Sequence, residues 1–222
     1  MKALSNLAQS VRASTTLAID TQFNKMRSEG IDVIGFSVGQ PDFPTPEHIK
    51  QAGIRAIQEN LTKYTPTPGT PAVRKAVADR LDADWGLDYT PEEIVVSGGG
   101  KPILYVALKT LIDPGDEVIL PAPYWVSYYE LIKMVGGVPV VVTTTEENGF
   151  NLTPEQLQAA ITPKTKALML NSPSNPTGMI YSREHLEDIA KVCLDNDLYV
   201  IADEMYSKLV FDNKEFVSFP TL

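Results

Sequence analysis

From residue 94 onward, short apolar runs rich in β-branched residues alternate with segments of helical periodicity, and few folds accept that pattern. The apolar runs fall at 94–96, 117–120, 138–142, 166–170 and 199–202. Each is short and nearly continuous, as expected of strands covered on both faces. Helical patterns lie between most of them, at 102–111, 124–135, 154–161 and 183–195. Thr153-Pro154-Glu155-Gln156 reads as a capping box opening the third, and Ser182 caps the fourth. The alternation predicts an α/β fold: a mostly parallel sheet with helices on both faces. In such sheets ligands bind beyond the carboxyl ends of the strands, so the loops there carry the chemistry.

The first third of the chain is less regular. Apolar residues at helical spacing predict a helix from Ser14 to Gly30, followed by a short strand over 33–37. Three prolines then enforce an extended path through Gly39-Gln40-Pro41-Asp42-Phe43-Pro44-Thr45-Pro46. Thr45 is expected to cap a helix with Pro46 at its first position, running to about Asn60; Thr70-Pro71 repeats the device before a helix ending near Gly86. A net charge of −9 over 222 residues offers no basic surface for nucleic acid or anionic lipid. The one cysteine, Cys193, sits in an apolar helical pattern, so an intramolecular disulfide is impossible and a reducing compartment is expected. With no secretory-type apolar run after Met1 and no stretch long enough to span a bilayer, the expected location is cytoplasmic.

Three strand-end loops stand out. In Ser97-Gly98-Gly99-Gly100-Lys101, glycines let the backbone approach a ligand, and the following helix start presents free N–H groups with a positive dipole end. That suits a phosphate; a plain strand-to-helix turn needs the same residues. The ATP-type phosphate loop is excluded, because Val95 and Pro102 stand where it requires Gly and Ser or Thr. In Asn171-Ser172-Pro173-Ser174-Asn175-Pro176-Thr177-Gly178, two prolines flank Asn175 and hold its amide, for ligand recognition or simply for a rigid turn. In Ile201-Ala202-Asp203-Glu204-Met205-Tyr206, an apolar strand runs into two carboxylates, and Asp203 at the sheet edge calls for a cationic partner. A metal is the other reading; against it, Asp203 and Glu204 point opposite ways along a strand, and no His or Cys accompanies them. His48 and His185, each in the first turn of a separate helix, are expected to be surface residues.

Taken in order, these loops and three further runs resemble the class I aminotransferases of the aspartate aminotransferase family, fold type I enzymes that use pyridoxal 5'-phosphate (PLP). The further runs are Ser37-Val38-Gly39-Gln40-Pro41-Asp42-Phe43, Lys63-Tyr64-Thr65-Pro66-Thr67-Pro68-Gly69 and Pro121-Ala122-Pro123-Tyr124-Trp125. Within the family the chain looks most like the bacterial subgroup that handles aspartate and, in some members, prephenate. The resemblance implies residues 1–45 as an N-terminal arm with part of a small domain, and 46–222 as a PLP-binding large domain, incomplete at its C-terminal end.

It also implies roles. Asp203 would sit beneath the protonated ring nitrogen, and Asn175 and Tyr206 at the phenolic oxygen. Gly99, Gly100 and Lys101 would form the phosphate cup, with Tyr64 reaching the phosphate of a neighbouring subunit's cofactor in a homodimer with shared active sites. Gly39, Trp125, Asn175 and Arg12 would meet substrate. Read alone, Trp125 is a packing aromatic after two prolines; the resemblance assigns it to stacking on the ring. Read alone, Arg12 is a solvated charge on an arm; the subgroup places it near the substrate's distal carboxylate. The implied activity moves an amino group between aspartate or glutamate and a 2-oxo acid, with prephenate a further acceptor.

One part of the pattern has no match. The family's Schiff-base lysine belongs to a Ser-x-x-Lys run one strand beyond the Asp203 segment, past Leu222, and Lys208 and Lys214 lie too close behind Asp203 to replace it. The expectation is therefore an incomplete chain with no catalytic lysine of its own. The alternatives are a non-catalytic PLP-binding or dimerisation module, and another reaction on the same cofactor such as a β-lyase.

Overall fold

The computed structural model describes residues 2–12, 15–36 and 39–222. Its helices are α1 (Asn6–Ser10), α2 (Thr15–Ser28), α3 (Glu47–Gln58), α4 (Pro71–Trp85), α5 (Gly100–Leu111), α6 (Ser127–Met134), α7 (Pro154–Ala160) and α8 (Arg183–Asp195). Its strands are β1 (Glu117–Ala122), β2 (Val138–Thr143), β3 (Thr165–Asn171) and β4 (Tyr199–Asp203). All pairings are parallel and the strand order is β2-β1-β3-β4. Consecutive strands thus leave β1 first to one side and then to the other, which places a topological switch point between β1 and β3.

The helix boundaries follow their local chemistry. Thr70 Oγ1 accepts from the Val73 N–H, Pro71 opens α4, and Gly86 ends it in the left-handed region at φ 68°. Thr153 and Gln156 form the reciprocal capping box at α7, and Ser182 Oγ accepts from the His185 N–H at α8. His185 is structural: its Nε2 lies 2.7 Å from the Leu152 carbonyl and its ring meets Tyr181 edge-on.

Alternate residues of each strand face opposite layers, because side-chain direction reverses at every residue. Val118, Leu120, Ala167 and Met169 pack with Leu104 and Leu108 of α5 and Leu131 and Ile132 of α6. Ile119, Leu168 and Leu170 pack with Leu157 of α7 and Leu186, Ile189 and Cys193 of α8. Each fully buried Leu or Ile contributes roughly 1.5–3 kcal/mol. Burial also pushes the Cys193 thiol up to about 11, so it stays protonated and acts as a small apolar residue.

Three local expectations differ from the structure. Residues 33–36 form no strand, since no described strand lies beside them to take up their backbone groups; Ser37 and Val38, like Ser14, lie outside the described residues. Residues 94–96 do not join the sheet either. The facing segment carries Pro66 and Pro68, which have no N–H to donate, and one bond, from the Val96 N–H to the Pro68 carbonyl, replaces a ladder. Finally, Pro46 is the N-cap of α3 rather than its first residue. Its ψ of 143° is extended while its carbonyl accepts from Ile49 and Lys50, and Thr45 makes no cap.

The buried apolar core of the described residues runs from Ala78 to Val217, and α1 and α3 bury nothing. No helix among the described residues is long and apolar enough to cross a membrane.

Candidate functional site

Parallel pairing brings three strand ends to one edge of the sheet: Ala122 of β1, Asn171 of β3 and Asp203 of β4, with Asn171 and Asp203 in register. Beyond this edge opens a cleft of about 840 Å³, within the ~300–1,000 Å³ span of small-molecule sites. Gly39, Gly100, Lys101, Trp125, Asn175, Asp203 and Tyr206 all line it. Seven residues singled out in the sequence therefore converge, from five separate segments of chain.

Asp203 is held on both oxygens. The Tyr128 hydroxyl donates to Oδ2 at 2.7 Å, and the Met205 N–H donates to Oδ1 at 3.1 Å. Tyr128 is 2% exposed. Its burial, and then the negative charge of Asp203, raise its pKa far above the ordinary tyrosine range, so the hydroxyl remains a donor at neutral pH. Each carboxylate oxygen keeps a lone pair for one more donor from the cleft.

Asn171 locks the neighbouring loop. Its Nδ2 donates to the backbone carbonyls of Asp203 and Pro173, and its Oδ1 accepts from the Asn175 N–H at 2.7 Å. One amide thus ties the ends of β3 and β4 to the loop carrying Asn175. The loop closes on itself where Gly178 N–H donates to the Ser174 carbonyl and Ser174 N–H to that of Met179.

The glycine loop meets the requirements of an anion cradle. Gly99 caps α5 at φ 125°, a conformation L side chains rarely adopt, and a Cβ at Gly98 or Gly99 would meet no atom within 4 Å. Gly100 and Lys101 then present first-turn N–H groups, and Pro102 has none to waste. Lys101 does more than flank this cradle. Its ammonium lies 4.9 Å from the centroid of Trp125, over the ring. Trp125 is itself fixed edge-on against Tyr128 at 5.3 Å.

Three expected residues lie elsewhere. Gly99 flanks the cleft without lining it. Tyr64 is fully exposed and away from the cleft. Arg12 is exposed on the N-terminal arm, which docks on α6: its backbone N–H donates to Glu130, and Lys133 donates to the Ser10 carbonyl. Conversely, the sequence reading passed over Tyr128, Asn171 and the apolar wall formed by Met205, Leu209 and Phe211. Tyr128 was findable as the residue one helical turn after Trp125, and Asn171 as the first residue beyond an apolar run.

Comparison with known proteins gives a consistent picture. Residues 31–222 match the family described as Aminotransferase class I and II. The chain is 48% identical over 215 residues to an aspartate aminotransferase of Bacillus sp. (strain YM-2), covering 97% of this chain and 55% of that protein. It is 44% identical to the aspartate/prephenate aminotransferase of Thermus thermophilus, covering 97% of this chain and 56% of that one. Among solved structures, Thermus thermophilus aspartate aminotransferase with maleate superposes with a TM-score of 0.96 at 43% identity, over 100% of this chain and 58% of that chain. The chain thus spans little more than half the length of the curated relatives it matches.

Proposed function

Since the chain belongs to the class I and II aminotransferase family, we propose that it supplies the cofactor-holding half of a cytoplasmic, PLP-dependent aminotransferase acting on aspartate or glutamate and a 2-oxo acid. Prephenate is a further acceptor in this reading. The observation that carries it is the convergence of Asp203, Asn175, Tyr206 and Trp125 on one cleft at the start of α5.

The residues present fit PLP. The open glycine cradle and the α5 N-terminus would take the phosphate, with Lys101 adding charge. Trp125 would lie on the ring face once the Lys101 ammonium moves off it toward the phosphate. Bound PLP supplies an electron sink that stabilises negative charge at the substrate Cα. Asp203, in a partly desolvated place, would support that sink by accepting a charge-assisted bond from a protonated ring nitrogen. Asn175 and Tyr206, which line the cleft, would orient the ring from its phenolic side, and Gly39 would border the substrate space.

Residues 1–45 are assigned to the arm and small domain, and 46–222 to the large domain. The fully exposed Tyr64, and the exposed Ile49, Ile54 and Ile57 of α3, support a homodimer in which Tyr64 serves the partner's site.

The maleate of the Thermus thermophilus structure is a dicarboxylate, and it supports a dicarboxylic substrate here. Arg12 is assigned to the second carboxylate, for which a guanidinium is suited by its two parallel donors. Deleting one partner of such a pair costs about 2–5 kcal/mol. In the full-length protein, Arg12→Ala should raise the KM for aspartate far more than for a neutral amino acid. Steady-state kinetics on both substrates decide it: equal losses would return Arg12 to the ordinary surface charges.

A further inference from the structure

Asp203 is followed by a second carboxylate that the proposed chemistry does not use. Glu204 is half-buried, and burial raises its pKa above the usual carboxylate range. Its Oε2 accepts from the Ser218 hydroxyl and its Oε1 from the Phe219 N–H, both at 2.7 Å. Ser218 is 1% exposed, and its neighbours Val217 and Phe219 pack into the core beneath the sheet. Residues 205–217 therefore leave the end of β4, cross the surface, and return to the point from which they started. The inner side of this excursion is one wall of the cleft: Met205, Tyr206, Leu209 and Phe211. The outer side rests on the end of α4, where Lys208 reaches Asp84 at 2.9 Å and Phe216 meets Trp85 edge-on.

We propose that Glu204 is a positioning residue: by bonding Ser218 and Phe219 it closes residues 205–217 into a fixed loop, and so sets Tyr206 and the apolar wall against the bound ring. The strand end places Asp203 and Glu204 for separate tasks. Asp203 faces the ligand, and Glu204 holds the chain that faces it from the side. Losing Glu204 leaves the buried Ser218 hydroxyl and Phe219 N–H without acceptors, which favours opening of the loop. The Lys208–Asp84 pair does not replace it: the Lys208 end is largely exposed, Asp84 is already paired with Arg80, and the contact ties the middle of the loop to α4 without joining its two ends. This inference rests on the PLP reading of the cleft for its ligand, while the closure of the loop does not depend on it.

The test uses the full-length protein as wild type, Glu204→Ala, Glu204→Gln and Ser218→Ala. PLP affinity is read from quenching of tryptophan fluorescence, and loop closure from the rate of tryptic cleavage after Lys208 and Lys214 without PLP. Glu204→Ala is expected to weaken PLP binding and to speed cleavage, each about tenfold, and Ser218→Ala about threefold. Glu204→Gln should recover most of both, since its amide oxygen still accepts from Phe219 and Ser218 can turn to accept from its NH2. Should Glu204→Ala fail to fold, Ser218→Ala decides by the same two readouts. Wild-type affinity in the folded variants overturns the assignment, and so does faster cleavage with unchanged affinity, which would make Glu204 a structural tie only. A wild-type protein that binds no PLP would instead remove the cofactor reading, and the cleavage rates would still decide whether Glu204 closes the loop.

Discussion

In the full-length protein, Asp203→Ala is expected to lower the transamination rate by roughly 10²–10³-fold, the scale seen when a preorganised electrostatic partner of the reacting charge is removed. The fold should survive. The substitution removes the acceptor of Tyr128, and a buried hydroxyl left unpaired costs about 1–3 kcal/mol, less than a domain's stability. Asp203→Asn separates charge from shape, because its side-chain oxygen still accepts from Tyr128 while no carboxylate faces the ring nitrogen. It should lose nearly as much activity as Asp203→Ala, with a melting temperature closer to wild type. Tyr128→Phe should cost much less, about tenfold, since Met205 N–H still orients the carboxylate. Rates measured at saturating PLP check the series. Wild-type turnover in Asp203→Ala would remove Asp203 from the chemistry.

The second large effect concerns the 222-residue chain taken by itself. Transamination needs an amine that engages the cofactor covalently and moves a proton at the substrate Cα, and such a general base is worth ~10²–10⁴-fold. Among the described residues Lys101 is the only lysine lining the cleft. It sits at the start of α5 with its ammonium over Trp125, and in the proposed reading it serves the phosphate rather than the substrate carbon. The purified chain should therefore give no turnover of aspartate and 2-oxoglutarate above background, and only non-covalent PLP. Borohydride reduction followed by peptide mapping checks this. A pyridoxyl group fixed on one lysine, together with genuine turnover, would show that a lysine of this chain does the work.

Much of the fold was legible because its signals are local. The capping box at Thr153, the caps at Thr70 and Ser182 and the four apolar runs from 117 onward depend on neighbours in sequence, and the structure has them. The run at 94–96 misled because strand formation needs a partner with N–H groups to offer, and the facing segment has Pro66 and Pro68. The same distinction governs the site. Asp203, Asn175 and the glycine loop announce themselves as polar or glycine-rich breaks after apolar runs. Tyr128 does not, since in sequence it is one more apolar position of α6; only the folding of the sheet, which brings the end of β4 to the start of α6, sets its hydroxyl beside a carboxylate 75 residues away. The bond from Ser218 to Glu204 is likewise a product of chain return, invisible to periodicity.

The central claim is that this cleft holds PLP with Asp203 beneath the ring, and a crystal structure of the full-length protein grown with PLP tests it most directly. The expected result is a phosphate at the start of α5, the ring against Trp125, and the ring nitrogen about 2.7–2.9 Å from an oxygen of Asp203. A structure with PLP seated away from the α5 N-terminus, or with its ring nitrogen facing solvent and Asp203 bonded only to Tyr128 and Met205, would contradict it.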